Sequence, residues 1–445
     1  MRGEHLSLQD LEKNVARAVD GRVKLFMYSA PPGFNRSLEL DYVSYRRSSH
    51  LTWKLEYALW NLIPRHIYTN DPEEADFFIV PNALMGHFGS WTQYLSSLLA
   101  PMLRHILNDH PYFNRSGGRD HLFVYSGDTG PMCDCNLATL LLKEHAFMDS
   151  MVGSMLRIGY YGHRGPHSTT VENRTNANCG WRDGEDIAMP MFNEYHKRPP
   201  AMPWPAALRS SIVADVHFRG SVWGPTKPLT CMTVQGAVTY ACSIGIRYWL
   251  QRYMTRECQL PALPWPALQL PANLKLSANR STPRCSFQSG DVTRGLYNFC
   301  PAAHACWSAR FFDSIDRGHI PVVLADGIVQ PFEELLDYDH FSVTLDTEPL
   351  MRNELQTIRG LHSHAESVVQ ACSATPDAPE CTQLEPVQMM IRTHQVASYF
   401  AYAPNSNRSA WGMLMLELCC RKYKRLRGIP PPAWKHIPCT FCGPS

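Results

Sequence analysis

Apolar runs too short for a helix recur along this chain, each followed by a loop and a segment of helical spacing, and that alternation constrains its fold more than any other feature. Val23 to Tyr28 is the first such run, and it leaves through Ser29-Ala30-Pro31-Pro32-Gly33, as a buried strand ending in a loop does. Leu51 to Leu62 then carries apolar residues at helical spacing. Asn70-Asp71-Pro72-Glu73-Glu74 supplies an N-cap, a proline at the first helical position and two first-turn acids, which predicts a single turn of helix. Asp76 to Pro81 reads as the next buried strand, Leu95 to Leu107 as a helix, and His121 to Tyr125 as a third strand. Strands alternating with helices predict an α/β fold built on a parallel sheet.

From Met189 to Leu208 periodicity gives way to proline (Arg198-Pro199-Pro200-Ala201-Met202-Pro203-Trp204-Pro205), as in a stiff connection, and a domain boundary is expected there. The alternation resumes with Ile212 to Phe218 as strand, Ile244 to Met254 and Ser308 to Asp316 as helices, Ile320 to Leu324 as strand, and further helices to Cys420. A second α/β domain is the consequence. Leu260 to Pro271 is another proline-rich piece, read as a surface insertion because the pattern continues on both sides.

The 445 residues are 44% apolar and only 18% charged, which argues for a large core and against disorder. A net charge of +2 gives no reason to expect nucleic acid or an anionic membrane, so the expected partner is a neutral or small ligand. Apolar stretches such as Ala410 to Cys420 fall short of the roughly 18 to 20 residues that cross a bilayer. Met1 to Gly21 alternates charges without the apolar region of a secretory signal.

Fifteen cysteines and five N-x-S/T sequons, at Asn35, Asn114, Asn173, Asn279 and Asn407, nonetheless point to an oxidising compartment. Cys133/Cys135, Cys372/Cys381 and Cys439/Cys442 are close pairs bounding loops or tails that disulfides staple, with the pairing itself left open. The odd count leaves at least one thiol unpaired, and Cys300 and Cys306 are the candidates. Cys439-x-x-Cys442 with His436 offers zinc three of the four ligands it needs, so a tail disulfide is the preferred reading.

In an open α/β sheet, ligands bind outside the carboxyl ends of the strands, so the loops there hold the candidates. His217-Phe218-Arg219-Gly220-Ser221 leaves a strand with a glycine that permits close backbone approach, and Gly245-Ile246-Arg247 opens the next helix with a cation. Both can face a phosphate, or can be a plain turn and a solvated arginine. In the segment from Phe299 to Val323 a loop feeds a helix and then a buried strand. Ser308 is the expected N-cap, so the helix directs free N–H groups at whatever stands before it, and Arg310 adds a planar fork in the first turn. That outlines a diphosphate site. Asp313, a turn further on, can accept from ribose hydroxyls or serve as a favourable helix-start acid.

The ordered set Lys24 to Tyr28, Thr69 to Pro81, Gly118 to Val124, Glu185 to Pro190, His217-Phe218-Arg219-Gly220, Tyr240 to Arg247, Phe299-Cys300, Ser308-Ala309-Arg310, Gly318 to Val323 and Gln330-Pro331-Phe332 resembles the exostosin family of glycosyltransferases, followed by Leu336 to Tyr338 and Phe341 to Val343. The resemblance covers about residues 22 to 425. It implies a GT-B architecture, two Rossmann-like domains facing across a cleft. Residues 22–195 form the acceptor-side domain, 205–395 the nucleotide-sugar domain, and 396–425 a helix crossing back to the first. It also implies an inverting transfer from a UDP-sugar to a glycan or glycoprotein, with no cofactor and no metal, because a helix N-terminus and basic side chains neutralise the leaving diphosphate. Arg247 and Arg310 match the family's basic positions. Gly220, Ser308 and Asp313 complete the donor set.

Inversion needs a general base from the first domain. Asp128, in Ser126-Gly127-Asp128-Thr129-Gly130, is the leading candidate because the family also tends to carry an Asp-x-Gly step there; an ordinary Asx turn is the alternative. His121 is second, with a buried structural histidine as its competing reading. Asp337-Tyr338-Asp339 has the look of a metal-binding D-x-D motif but falls where the family has a structural loop. The chain departs from the pattern at Pro301 to Trp307, which is shorter and lacks glycine, at Asp313, where glutamate is common, and at His319, where cysteine is common. Those departures keep open a catalytically silent subunit that binds glycan or stabilises an active partner, and a secreted binding module without a nucleotide site. The family further implies the Golgi lumen, a membrane anchor that this sequence does not show, and association with another glycosyltransferase.

Overall fold

The computed structural model describes residues 6–29, 31, 55, 63–82, 99–125, 142–160, 162–164, 181–192, 214–219, 230–233, 236–239, 246–257, 285–288, 295–302, 308–352, 355–372, 378–403, 406–429, 434 and 442. Its first sheet pairs β1 (Leu25–Met27), β2 (Phe77–Ile79), β3 (His121–Val124), β4 (Leu156–Gly159) and β6 (Ile187–Ala188) in that spatial order. Every pairing is parallel. Phe77, Phe78 and Ile79 are all buried, as are all four residues of β3, because helices cover both faces of a parallel sheet. The expected turn after Asp71 is a 3-10 turn over Pro72–Glu74, with Asp71 accepting from the Glu73 N–H at 2.9 Å. The expected helix is described from Ala100 to Asp109; of the helix expected over Leu51 to Leu62, only Leu55 lies within the described residues.

The second sheet runs β10 (Cys285–Gln288), β7 (Ala214–Arg219), β11 (Gly295–Pro301), β12 (Ile320–Leu324) and β14 (Val343–Thr344), again all parallel. Its order differs in kind from the first. After β7 the chain adds β10 on one side and then β11, β12 and β14 on the other, so the direction of winding reverses beside β7. That reversal opens a crevice at the carboxyl ends of β7 and β11, where open α/β sheets bind their ligands. Between β7 and β10 the chain forms the antiparallel pair β8 (Thr230–Thr233) and β9 (Gly236–Thr239) and the helix Ile246–Arg256, and Ala309–Asp316 joins β11 to β12.

Several elements tie the two sheets together. β5 (Gly162–His163) pairs antiparallel with β13 (Ile328–Val329), and Arg164 beside it forms ion pairs with Asp183 at 2.6 Å and with Glu333. Next to Glu333, Phe332 is buried with φ at +57°, a left-handed conformation that costs a bulky residue about 1–3 kcal/mol. The Gln330 N–H bond to the Glu333 carboxylate at 2.8 Å helps fix this turn.

The closing helix, Ala410–Leu426, is buried over nearly its whole circumference from Ala410 to Arg421, and one apolar cluster joins its Trp411, Met413 and Leu416 to Leu25 and Phe77 of the first sheet and Phe311 of the second half. Lys422 donates to Asp76 and to the Arg22 carbonyl, both at 2.8 Å, and Arg421 to the Asp186 carbonyl at 3.0 Å. Gly412 is required early in this helix, since a Cβ there would stand 2.1 Å from the Asn407 carbonyl oxygen. A helix over Leu8–Arg17, capped by Ser7, was not read from the sequence; it packs Leu11 and Val15 into the same cluster.

Cys372 and Cys381 are bonded, as their spacing suggested. The tail differs: Cys442 bonds Cys419 of the closing helix across 23 residues, not Cys439, and this also removes it as a zinc ligand. Short sequence spacing signals only that a pair can meet, whereas the docked tail, held by an Arg22 bond to the Cys442 carbonyl at 2.8 Å, brings the helix cysteine closer. Cys300 is a free, buried thiol, and Asn114 and Asn407 of the sequons are exposed. No helix among the described residues is long and apolar enough to cross a membrane.

Candidate active site

At the crevice beside β7, four of the expected residues come together. Arg247 is the second residue of its helix and is buried, with Nε donating to the Ala302 carbonyl, just past the end of β11, at 2.9 Å. Arg310 lies one residue into the helix that follows, with its guanidinium 5.5 Å from the Phe218 ring of β7 and Nη1 donating to the Ser308 hydroxyl at 3.2 Å. Burial, and then the charge of Arg310, push Arg247 down to about 9. At neutral pH both guanidiniums still carry charge, so two like charges share a partly desolvated end of the sheet. Such a pair gains from a multivalent anion in a way a neutral ligand could not match.

Ser308 holds the N-cap position in extended conformation, but its side chain does not cap the backbone. It accepts from Arg310 instead and fixes the fork. The Ser308 carbonyl, not its hydroxyl, takes a first-turn N–H, that of Phe311, at 3.1 Å. Asp313, one turn along, is half-buried and close enough to Cys300 to raise its thiol, although burial is the main cause that takes Cys300 up to about 12. That thiol is inert, because nucleophilic chemistry needs the thiolate. His319 is fully buried and pushed down to about 4, first by burial and then by Arg317, so it is neutral at physiological pH and adds no charge. The two departures at Asp313 and His319 thus leave the arginine pair in place.

Two expected residues, Gly220 and Asp128, lie outside the described residues, as does the shortened loop 303–307. His121 is not brought to the arginine pair. It opens β3, at the amino end of the first sheet, and is fully buried. Its Nδ1 lies 2.7 Å from Asp120 and its Nε2 2.7 Å from the Tyr28 hydroxyl, with Phe78 stacked at 5.0 Å. Both ring nitrogens are therefore engaged by neighbouring side chains within the core. Asp337 spends Oδ1 on the Asp339 N–H at 3.2 Å, capping the 3-10 turn Tyr338–His340, with His340 3.4 Å from its other oxygen. Sequence reasoning found the arginines but missed the Ala302 carbonyl that holds Arg247, since backbone acceptors leave no trace in residue types.

The family model of the exostosin GT47 domain matches residues 20–226 and 271–359. Among curated proteins, a probable glucuronoxylan glucuronosyltransferase of Arabidopsis thaliana is 25% identical over 332 residues, covering 73% of this chain and 61% of that protein. A probable glucuronosyltransferase of Oryza sativa subsp. japonica is 24% identical over 73% of this chain and 67% of its own length. A probable beta-1,4-xylosyltransferase of Arabidopsis thaliana is 23% identical, with 73% and 68% covered. The chain therefore spans less than two thirds of the first of these relatives.

Proposed function

We propose that this chain, which belongs to the exostosin GT47 family, is an inverting glycosyltransferase that moves a sugar from a UDP-sugar to a glycan or glycoprotein acceptor. The observation that carries the reading is the Arg247/Arg310 pair at the carboxyl ends of β7 and β11. A diphosphate is a multivalent anion that two adjacent guanidiniums can bind together, and the same contacts strengthen as the leaving diphosphate gains charge in the transition state. Glucuronic acid and xylose, named for the relatives, are the donor sugars to test first.

In this reading residues 205–395 hold the donor and 22–195 the acceptor in a GT-B arrangement, with residues 396–425 crossing back to the first domain. Gly220 lets the backbone approach the donor, Arg247, Arg310 and the helix start at Ser308 bind the diphosphate, and Asp313 takes a ribose hydroxyl. Asp128 removes the acceptor proton. The metal-independent reaction would take place in the Golgi lumen, alone or beside another glycosyltransferase.

The test is thermal unfolding of the chain with UDP, GDP, UDP-glucuronic acid and UDP-xylose, with manganese or EDTA, beside Arg310→Ala. A ligand at 100 times its Kd adds roughly 2.7 kcal/mol. A UDP-selective shift that survives EDTA and is lost in Arg310→Ala is expected, whereas no shift with any nucleotide would turn the assignment to the silent subunit. Asp128→Asn should keep the UDP shift and lose transfer; retained transfer removes Asp128 as the base.

A further inference from the structure

Asn82 lies three residues beyond the end of β2, on the carboxyl side of the first sheet, and only 2% of it is exposed. Its Nδ2 donates at 2.7 Å to the carbonyl of Val124, the last residue of β3. That bond fixes the amide, because a flipped side chain would set oxygen against oxygen. Its Oδ1 is buried and has no hydrogen-bond partner among the described residues. Burying an acceptor unpaired is unfavourable, and the Val124 bond does nothing to offset the second half of the amide. Position and vacancy coincide: the atom sits where strand ends present ligand-binding groups, and it can be satisfied only by a donor.

We propose that Asn82 Oδ1 receives a hydrogen bond from a hydroxyl of the acceptor sugar, and so orients the acceptor over the first sheet. This rests on the glycosyltransferase reading above. Sugars are dense in hydroxyl donors, and a carboxamide oxygen takes one without the charge that would bind a cation instead. The same side chain anchors the end of β3, four residues before Asp128, so one residue would position both the acceptor and the strand that leads to the proposed base. Asn82 is a positioning residue and forms no bond to the reacting atoms.

The experiment compares wild type, Asn82→Leu and the smaller Asn82→Ala, using UDP-glucuronic acid and UDP-xylose as donors and β-1,4-xylohexaose with its mono-deoxy analogues as acceptors. An unchanged UDP thermal shift shows that each variant is folded with its donor site intact. The expected result is an acceptor KM raised about tenfold with the donor KM unmoved, as for loss of one buried hydrogen bond. One deoxy acceptor should lose the same factor with wild type and nothing further with Asn82→Ala. Acceptor KM unchanged in both variants overturns the assignment, as does a rise in donor and acceptor KM together, which marks a structural role only. Failure of wild type to bind UDP would sink the glycosyltransferase reading itself, and is scored separately on the UDP shift.

Discussion

Both halves of the molecule carry the same buried polar device, yet among the described residues only the second half gathers cations at its strand ends. In the first half Tyr28, His121 and Asp120 form a relay with both links at 2.7 Å. In the second, Tyr253 lies 2.7 Å from His362 Nε2, and His362 Nδ1 lies 3.3 Å from Asp215. Asp120 directly precedes β3 and Asp215 is the second residue of β7, so the carboxylate of each relay sits toward the amino end of its strand, while Tyr28 directly follows the carboxyl end of β1. Burial raises both tyrosines above their ordinary value and keeps them neutral hydrogen-bond donors. A Tyr–His–Asp chain in a fold of this kind is a clamp between strand and neighbouring segments. Strand order, by contrast, separates the two halves: the second sheet reverses its winding beside β7, and there the arginines meet.

Substitutions that remove buried charge or one clamp at a time test that division. Asp186 accepts from Arg157 and Arg182, each at 2.5 Å at its nearest, so Asp186→Asn removes the carboxylate charge shared by two guanidiniums and should cost about 3–5 kcal/mol in urea unfolding. Burial alone would raise the Asp186 carboxyl, but the two arginines outweigh it and hold it below the ordinary value. The stability it contributes is therefore present above about pH 4, the unfolded carboxyl value, and is lost as pH falls through the lower folded value. Wild type should lose that stability on acidification, while Asp186→Asn has none of it to lose.

The clamps come next. His121→Phe keeps the ring stack but strips Asp120 and Tyr28 of a partner, for about 3 kcal/mol. Burial works against Asp120 ionising, yet bonds from His121 and Ser116 keep its carboxyl low, so this loss should also shrink toward acid pH. His362→Phe should cost less, about 1–2 kcal/mol, since its link to Asp215 is longer. Neither variant should change the UDP-induced shift. A folded His121→Phe protein that binds UDP but no longer transfers sugar would break the comparison and return His121 to the chemistry.

Much of this was legible in the sequence for local reasons. The strands within Phe77 to Pro81 and Ile320 to Leu324 are continuous apolar runs bounded by polar or turn residues, as a strand buried on both faces uses at that length. Arg247 and Arg310 were legible because cations at helix starts oppose the helix dipole and so call for another explanation. Less was legible wherever a partner is distant in the chain. β4 and the helix before it carry no sharp boundary residues, and Cys442 gave no sign that Cys419 was its partner. Nor did Asn82 stand out, since an asparagine after a proline reads as an ordinary turn until its burial and its unmatched oxygen are known.

Sequence by itself determined the class of fold, the two runs of βα alternation, the exostosin pattern and the residue types that can meet a diphosphate, because period, capping and turn chemistry act over a few residues. Only the tertiary structure decided the reversal of strand order beside β7, the burial of Arg247 against the Ala302 carbonyl, the two Tyr–His–Asp clamps and the tail disulfide. Each of these joins residues tens to hundreds of positions apart, and such pairings are set by how whole elements pack, not by the preference of any one of them.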